Sequence, residues 1–245
     1  MTASAPPPHL DLAQLAGRLA ARKRDGQLLI IGMTGSVAVG KTTLGEALVG
    51  HLSGRYRVES LSTDGFILPN ARLAEMGLSL RKGFPESYDV ARMEQALTDI
   101  RTGPATFPGY SHMTYDADPA RDRRIDPPDI LLLEGLGFAP PAQTARRLDL
   151  LIYLDAAEDL LEAWFLERFL RFWRAAETDP ASFYVQFRTM TEAEAILFAR
   201  SVWTGINLPN LRDHIIKARD LADIVLAKTP DHQLTLVRAL DAPGP

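Results

Sequence analysis

Cysteine is missing from all 245 residues. Its absence excludes disulfides, thiolate metal sites and cysteine nucleophiles, so any metal must sit on oxygen or imidazole, and a reducing cytoplasm suits the chain. Positive charge is also in short supply: 27 Lys and Arg stand against 31 Asp and Glu, a formal charge of −4. No global field draws nucleic acid or anionic membrane to such a chain, and any anion it binds must meet a local site. Long apolar runs are lacking too. None approaches the roughly 18 residues that span a bilayer, and "MTASAPPPHL" has no basic segment leading into an apolar core. The sequence reads as a soluble cytoplasmic protein with no nucleic-acid or membrane partner. What it does have is 46% hydrophobic residues, enough for a sizeable core.

Residues 1–8 are small and Pro-rich and are expected to be a disordered lead, followed by an amphipathic helix in "LDLAQLAGRLAARKRDG" that stops at Gly26. Residues 27–245 then read as one domain. "QLLIIGM", "RVESLST", "DILLLEG", "LDLLIYLDA" and "ADIVLAK" are short runs of Ile, Leu and Val, several without polar alternation, as strands covered on both faces are. Helical patterns separate most of them. The fold class is therefore α/β: a parallel sheet with helices on both faces and its ligand crevice at the carboxyl ends of the strands. Residues 65–128 and 157–215 are too long for connections, and we expect them to build an acceptor site and a helical lid. "RDRRIDPP" at 121–128 reads as a solvated turn.

The stretch "GSVAVGKT" runs Gly35, Ser36, Val37, Ala38, Val39, Gly40, Lys41, Thr42 and is followed by Thr43. It fits G-x-x-x-x-G-K-[ST] between a predicted strand and a predicted helix, the context that confirms a phosphate-binding loop (P-loop). Glycine lets the backbone curl so that successive N–H groups face inward, and the helix N-terminus adds partial positive charge. Lys41 is expected to bridge the β- and γ-phosphates of ATP, and Thr42 to offer its hydroxyl to Mg²⁺. The cradle alone does not name a reaction.

Other residues could. Asp64 ends a strand beside Gly65, placed either as a base for an acceptor's proton or as the cap of an Asx-turn. Glu134 ends "DILLLEG" and is a candidate metal ligand beside Thr42, whereas Asp155 ends its strand with nothing chemical nearby. "PGYSHMTYD" gathers Tyr110, His112, Tyr115 and Asp116, either as a small polar substrate's donors or as a packed surface loop. "EDLLEAWFLERFLRFWRAAE" spaces Arg168, Arg171 and Arg174 three apart, which suits a solvated face or a lid whose arginine reaches phosphates.

With these residues in view, the chain resembles the bacterial type I pantothenate kinases. "GSVAVGKT", "STDGF", "RKGFPESYD", "YSHMTYD", "DILLLEGL" and "ERFLRF" occur in that family's order over about residues 28–240. The resemblance implies a homodimeric, ATP- and Mg²⁺-dependent kinase of pantothenate, in the first step of coenzyme A synthesis. It implies Asp64 as base, with Lys41, and Arg168 turned to the phosphates. Tyr110, His112, Tyr115 and Asn207 would line the acceptor pocket, and His232 would lie near the adenine. The chain also departs from the family. Phe165 stands where the family has a tyrosine that touches the acceptor, and "SFYVQF" at 182–187 differs. Glu46 replaces an arginine that meets coenzyme A, which implies weak feedback inhibition. Only about 27 residues precede the first strand, which implies thinner adenine contacts. Two rivals stand beside this reading: a paralogue that phosphorylates another small alcohol, such as a sugar, polyol or nucleoside, and a catalytically silent nucleotide-binding regulator.

Overall fold

The computed structural model describes residues 9–138 and 144–239. The Pro-rich lead at 1–8 lies outside them. Six strands form the main sheet in the order β10-β9-β8-β1-β7-β2. β1 (Leu29–Gly35), β2 (Val58–Ser62), β7 (Ile130–Glu134), β8 (Leu150–Asp155) and β9 (Ile224–Lys228) are the five apolar runs anticipated, and all five are parallel. The sixth, β10 (Leu234–Arg238), pairs antiparallel to β9 at one edge. Every residue of β1 is buried, as a central strand covered on both faces requires. Helices pack on both sides of the sheet.

α1 (Leu12–Ala20) is capped by Asp11, whose carboxylate accepts from the Ala13 amide. It stops six residues before Gly26, shorter than expected, and the basic run at Arg22–Arg24 lies beyond it. Leu15 and Leu19 are buried in the same core as β1 and α2 (Lys41–Leu52).

The register sets the position of the chemistry. Met33 pairs with Glu134, and Glu134 pairs with Ser62 on its other side. Three strands therefore end level. Asp64 follows two residues after Ser62, Glu134 closes β7, and the cradle leaves β1 at Gly35. Glycine is needed at two of these ends: a Cβ on Gly35 would lie 2.2 Å from the Leu154 carbonyl oxygen, and one on Gly135 would lie 1.6 Å from Thr63 Oγ1.

The two long insertions contain α3 (Asn70–Glu75), α4 (Val90–Asp99), α5 (Glu158–Ala175) and α6 (Glu192–Val202). They also contain two small antiparallel ribbons, β3 (Ala105–Phe107) with β6 (Arg123–Ile125), and β4 (Tyr110–Ser111) with β5 (Asp116–Ala117). The expected solvated turn at 121–128 is thus partly a strand. Ile125 turns into the core while Arg123 reaches out to Glu59 at 2.7 Å, and three residues are too few to show a period. After α6 the helix loosens into a π turn at Trp203–Asn207, tightens over α7 (Leu208–Asn210) and opens again at Leu211–Ile215 before α8 (Lys217–Leu221).

Candidate active site

At the level strand ends lies a cleft of about 540 Å³, bounded by the cradle, the 82–115 insertion and α5. On the cradle side, Gly40 adopts φ 101° and opens α2, while Ala38 is forced into the left-handed region at φ 63°. Lys41 Nζ donates to the carbonyl oxygens of Gly35 at 3.1 Å and Ser36 at 2.9 Å. Enclosure lowers its pKa to about 8, against the pull of Glu134 and Asp64, which favour its charged form. Thr42 Oγ1 donates to Glu134 Oε1 at 2.8 Å, so the hydroxyl and the carboxylate paired by sequence do meet. Val37, Ala38, Gly40, Lys41, Thr42 and Thr43 line the cleft; Val39 and Ser36 are buried behind them.

On the facing side, Asp64 sits in a single 3₁₀ turn, Thr63–Phe66, and its own amide donates to Ser62 Oγ at 3.1 Å. Its amide is therefore capped by Ser62, which leaves the Asp64 carboxylate unspent as a cap, 27% exposed and 4.0 Å from His112 Nε2. Tyr110 packs edge-on to His112 and Tyr115. Burial, with Tyr115 and Asp64 nearby, pushes the Tyr110 phenol well above its ordinary range, so it keeps its proton and can donate.

Lys82, from "RKGFPESYD", is a site residue that spacing does not reveal. Its ammonium donates to Asn70 Oδ1 at 2.6 Å and to the Tyr115 carbonyl, and lies 4.7 Å from the Tyr115 ring and 5.1 Å from the Tyr110 ring. Burial lowers its pKa to about 8, while Asp116 and Asp64 oppose the shift. Asn70 Nδ2 also donates to the Tyr115 carbonyl, and together the two hold Tyr115 at φ 54°. Among the described residues, three non-glycine positions have such a left-handed backbone: Ala38, Tyr115 and His232. All three line the cleft, as strain retained at functional sites predicts.

α5 presents Trp164, Arg168, Arg171 and Phe172 to the cleft, a stripe at helical spacing. Arg168 and Arg171 have no ion pair among the described residues and lie against the Phe172 ring. Arg174, the third arginine of the same rhythm, instead pairs with Glu192 at 2.7 Å, and Asp155 is bound to Arg219 at 2.8 Å. Phe165 departs from the expectation that it contacts an acceptor. One residue beyond Trp164, it is rotated off the cleft stripe and packs on Trp203, ring centroids 5.9 Å apart. Tyr184 is likewise enclosed by Phe169 and Phe172.

His232 lines the cleft 5.0 Å from the Trp164 ring. Lys228 donates to the Val39 carbonyl at 3.0 Å and lies 4.6 Å from the same indole. Beside them a second cavity of about 440 Å³ continues past Gly40 and Thr43, walled by Leu10, Leu12, Leu44 and Leu234. Asn207 and Asn210 reach the cleft from the π-turn region. Asn207 was expected, and Arg171 was one of the three arginines offered for the lid, whereas Asn210 and Lys228 were not expected. Asn210 and Lys228 depend on contacts distant in sequence.

Among the described residues no helix is long and apolar enough to cross a membrane. The Phosphoribulokinase / Uridine kinase family profile matches residues 30–171. A solved structure from Silicibacter sp. TM1040, described as a "putative fructose transport system kinase", shares the fold at 22% identity and TM-score 0.68, over 87% of this chain and 95% of that one. The pantothenate kinase of Xanthobacter autotrophicus is 42% identical over 87% of this chain and 71% of its own length. That of Pasteurella multocida is 42% identical over 85% and 70%. The chain belongs to the pantothenate kinases, within the Phosphoribulokinase / Uridine kinase family of ATP-dependent kinases.

Proposed function

We propose that the protein transfers the γ-phosphoryl group of ATP to the primary hydroxyl of pantothenate, giving 4′-phosphopantothenate for coenzyme A synthesis. The observation that carries this reading is the placement of Asp64 between the cradle and the Lys82–Tyr110–His112 wall. A carboxylate not consumed as a cap faces both the phosphates' seat and the acceptor's.

Phosphoryl transfer asks mainly for alignment and charge balance. Lys41 trades the Gly35 and Ser36 carbonyls for phosphate oxygens, and Arg168 supplies a second cation from the opposite wall. The base of ATP extends past Gly40 and His232 into the leucine-walled cavity, against Leu10 and Leu12. Asp64 accepts the hydroxyl proton as the oxygen bonds to phosphorus and the ADP oxygen leaves. Lys82, with the Tyr110 and His112 donors, meets the acceptor's oxygens, including its carboxylate.

Thr42 Oγ1 and Glu134 Oε1, hydrogen-bonded to each other at the strand ends, are hard oxygen donors that suit a nucleotide-bound Mg²⁺ taking few protein ligands. Among the described residues no group of three or more His, Cys, Asp or Glu is arranged to hold a metal by itself. Mg²⁺ held there would neutralise charge on the phosphates. We also infer a cytoplasmic homodimer, for which sedimentation should return twice the 27.0 kDa chain mass; a monomer would overturn that part.

Purified protein incubated with Mg-ATP and pantothenate should yield 4′-phosphopantothenate by mass. Turnover only on a sugar, polyol or nucleoside would replace pantothenate as the acceptor, and ATP binding with no turnover on any alcohol would make the protein a regulator. Coenzyme A titrated into the same assay should inhibit weakly, because exposed Glu46 on α2 repels its phosphate. Strong inhibition would refute that role for Glu46.

A further inference from the structure

The strained part of the cradle is held from outside the loop. Ala38 and Gly40 take φ 63° and 101° on either side of Val39, and the loop's own backbone bond there, from the Val39 amide to the Ser36 carbonyl, is long at 3.4 Å. Lys228 closes β9, 189 positions further along the chain, and its ammonium donates to the Val39 carbonyl at 3.0 Å. It stands where Gly40 has no side chain: a Cβ on Gly40 would lie 2.8 Å from Lys228 Nζ. The same ammonium lies 4.6 Å from the centre of the Trp164 ring on α5, so strand, cradle and lid helix meet at one atom. Among the described residues Lys228 has no ion pair, and burial lowers its pKa. A partly desolvated cation without a counter-ion is costly. What it has in place of a carboxylate is one peptide carbonyl of the cradle and the face of an indole.

Backbone strain of this kind persists only where the surroundings over-determine it. Lys41 also grips the loop, through the Gly35 and Ser36 carbonyls, but it must give these up to meet phosphates. Lys228 borders the neighbouring cavity rather than the main cleft, so its bond to Val39 can outlast the arrival of the nucleotide. We infer that Lys228 is a positioning residue for the nucleotide: it clamps the Val39–Gly40 peptide from β9 and keeps the cradle in shape after Lys41 has changed partners. Displacements well under the length of a bond are enough to matter at such a site. The inference rests on ATP occupying the cradle and is independent of which alcohol accepts the phosphoryl group. Because the clamp acts on the cradle, its loss is felt by a polyphosphate whatever that carries; a lysine that touched the base would be felt only when a base is present.

The test is Lys228→Met, which keeps an unbranched apolar stem beside Trp164 and removes the donor and the charge. Calorimetry with Mg²⁺ present should show ATP and inorganic tripolyphosphate weakened alike, each by about 10- to 100-fold, the worth of a bond from a charged donor. KM for pantothenate should stay within about threefold. In the unliganded variant, hydrogen exchange across residues 36–41 should quicken while the strands stay protected, an effect that a residue merely touching the nucleotide would not produce. Lys228→Arg restores a charged donor beside the same indole and should bring both affinities back to within about threefold of the native protein. A loss for ATP alone would make Lys228 a contact of the base and overturn the clamp. Unchanged affinities in a folded Lys228→Met, or weakened ones with unchanged exchange, would overturn it too. If Lys228→Met does not fold, Lys228→Arg decides: near-native affinity for tripolyphosphate upholds the clamp and a tenfold loss overturns it. Native protein that binds ATP without phosphorylating pantothenate would refute the pantothenate reading alone, since the two affinities and the exchange test the clamp without any acceptor.

Discussion

The two walls of the cleft are built on different principles. The cradle wall, from Gly35 to Thr43, works through its backbone: a left-handed turn at Gly40, a helix start and carbonyls that hold Lys41. The facing wall works through side chains brought from residues 64, 82, 110–115 and 207–210, cross-linked by Asn70 and Lys82. Both contain a left-handed non-glycine residue, Ala38 in one and Tyr115 in the other. Ala38 carries only a methyl group, while Tyr115 stacks on Phe183 at 4.8 Å and edges onto Tyr110. Equivalent strain thus serves two purposes: it aims peptides in the first wall and positions a ring in the second.

The sharpest way to separate the walls is Asp64→Asn. It should lower kcat by about 10²- to 10⁴-fold, the usual worth of a general base, while ATP affinity stays within a few-fold; a fully active variant would remove Asp64 from the chemistry. Tyr115→Gly comes next. It relieves the backbone but loses the ring, so KM for the acceptor should rise about tenfold or more with KM for ATP unchanged. An equal rise in both would mean that the walls are not independent.

Protonation gives a smaller effect. Lys41 has a folded pKa of about 8, below its ordinary 10.5. Between those values the folded protein has shed a proton that the unfolded chain still holds, so the unliganded protein gains stability as pH rises through this window and loses it as pH falls back through 8. Phosphates favour charged Lys41, so nucleotide binding at pH 8 to 9 should take up a proton. Calorimetry in buffers of different ionisation enthalpy would show it, and zero uptake would count against Lys41 as the phosphate cation. The least effect is expected from Ala38→Gly. It should stabilise the protein by at most about 1 kcal/mol, since strain relief is partly offset by unfolded-chain entropy, and leave kinetics within about threefold. A large loss of activity would show that the Cβ matters after all.

The same contrast explains what could be read from sequence. The five parallel strands were legible because each is a short, continuous apolar run, and the cradle because its function depends on spacing over eight consecutive residues. Asp64 and Glu134 were legible as acids ending such strands. The facing wall was not, because Lys82 and Asn210 acquire meaning only when Asn70, Tyr115 and Gly83 are folded against them. β3 to β6 are two or three residues long, too short for a period. Phe165 was misplaced because substituting one aromatic for another says nothing of the 100° turn that separates it from Trp164. The spacing of three offered Arg168, Arg171 and Arg174 for the lid, and only the fold separates the first two, which line the cleft in the stripe from Trp164, from Arg174, which pairs with Glu192.

That stripe has an optical consequence. Of the three tryptophans, Trp173 and Trp203 are buried at 6% and 1% exposure, while Trp164 lines the cleft between the His232 ring and the Lys228 ammonium. Both neighbours are able to quench an indole's emission, and both stand beside the cavity into which the nucleotide base would extend. The protein therefore carries its own fluorophore at the mouth of the nucleotide seat, and occupancy of that seat can be followed by light without a label.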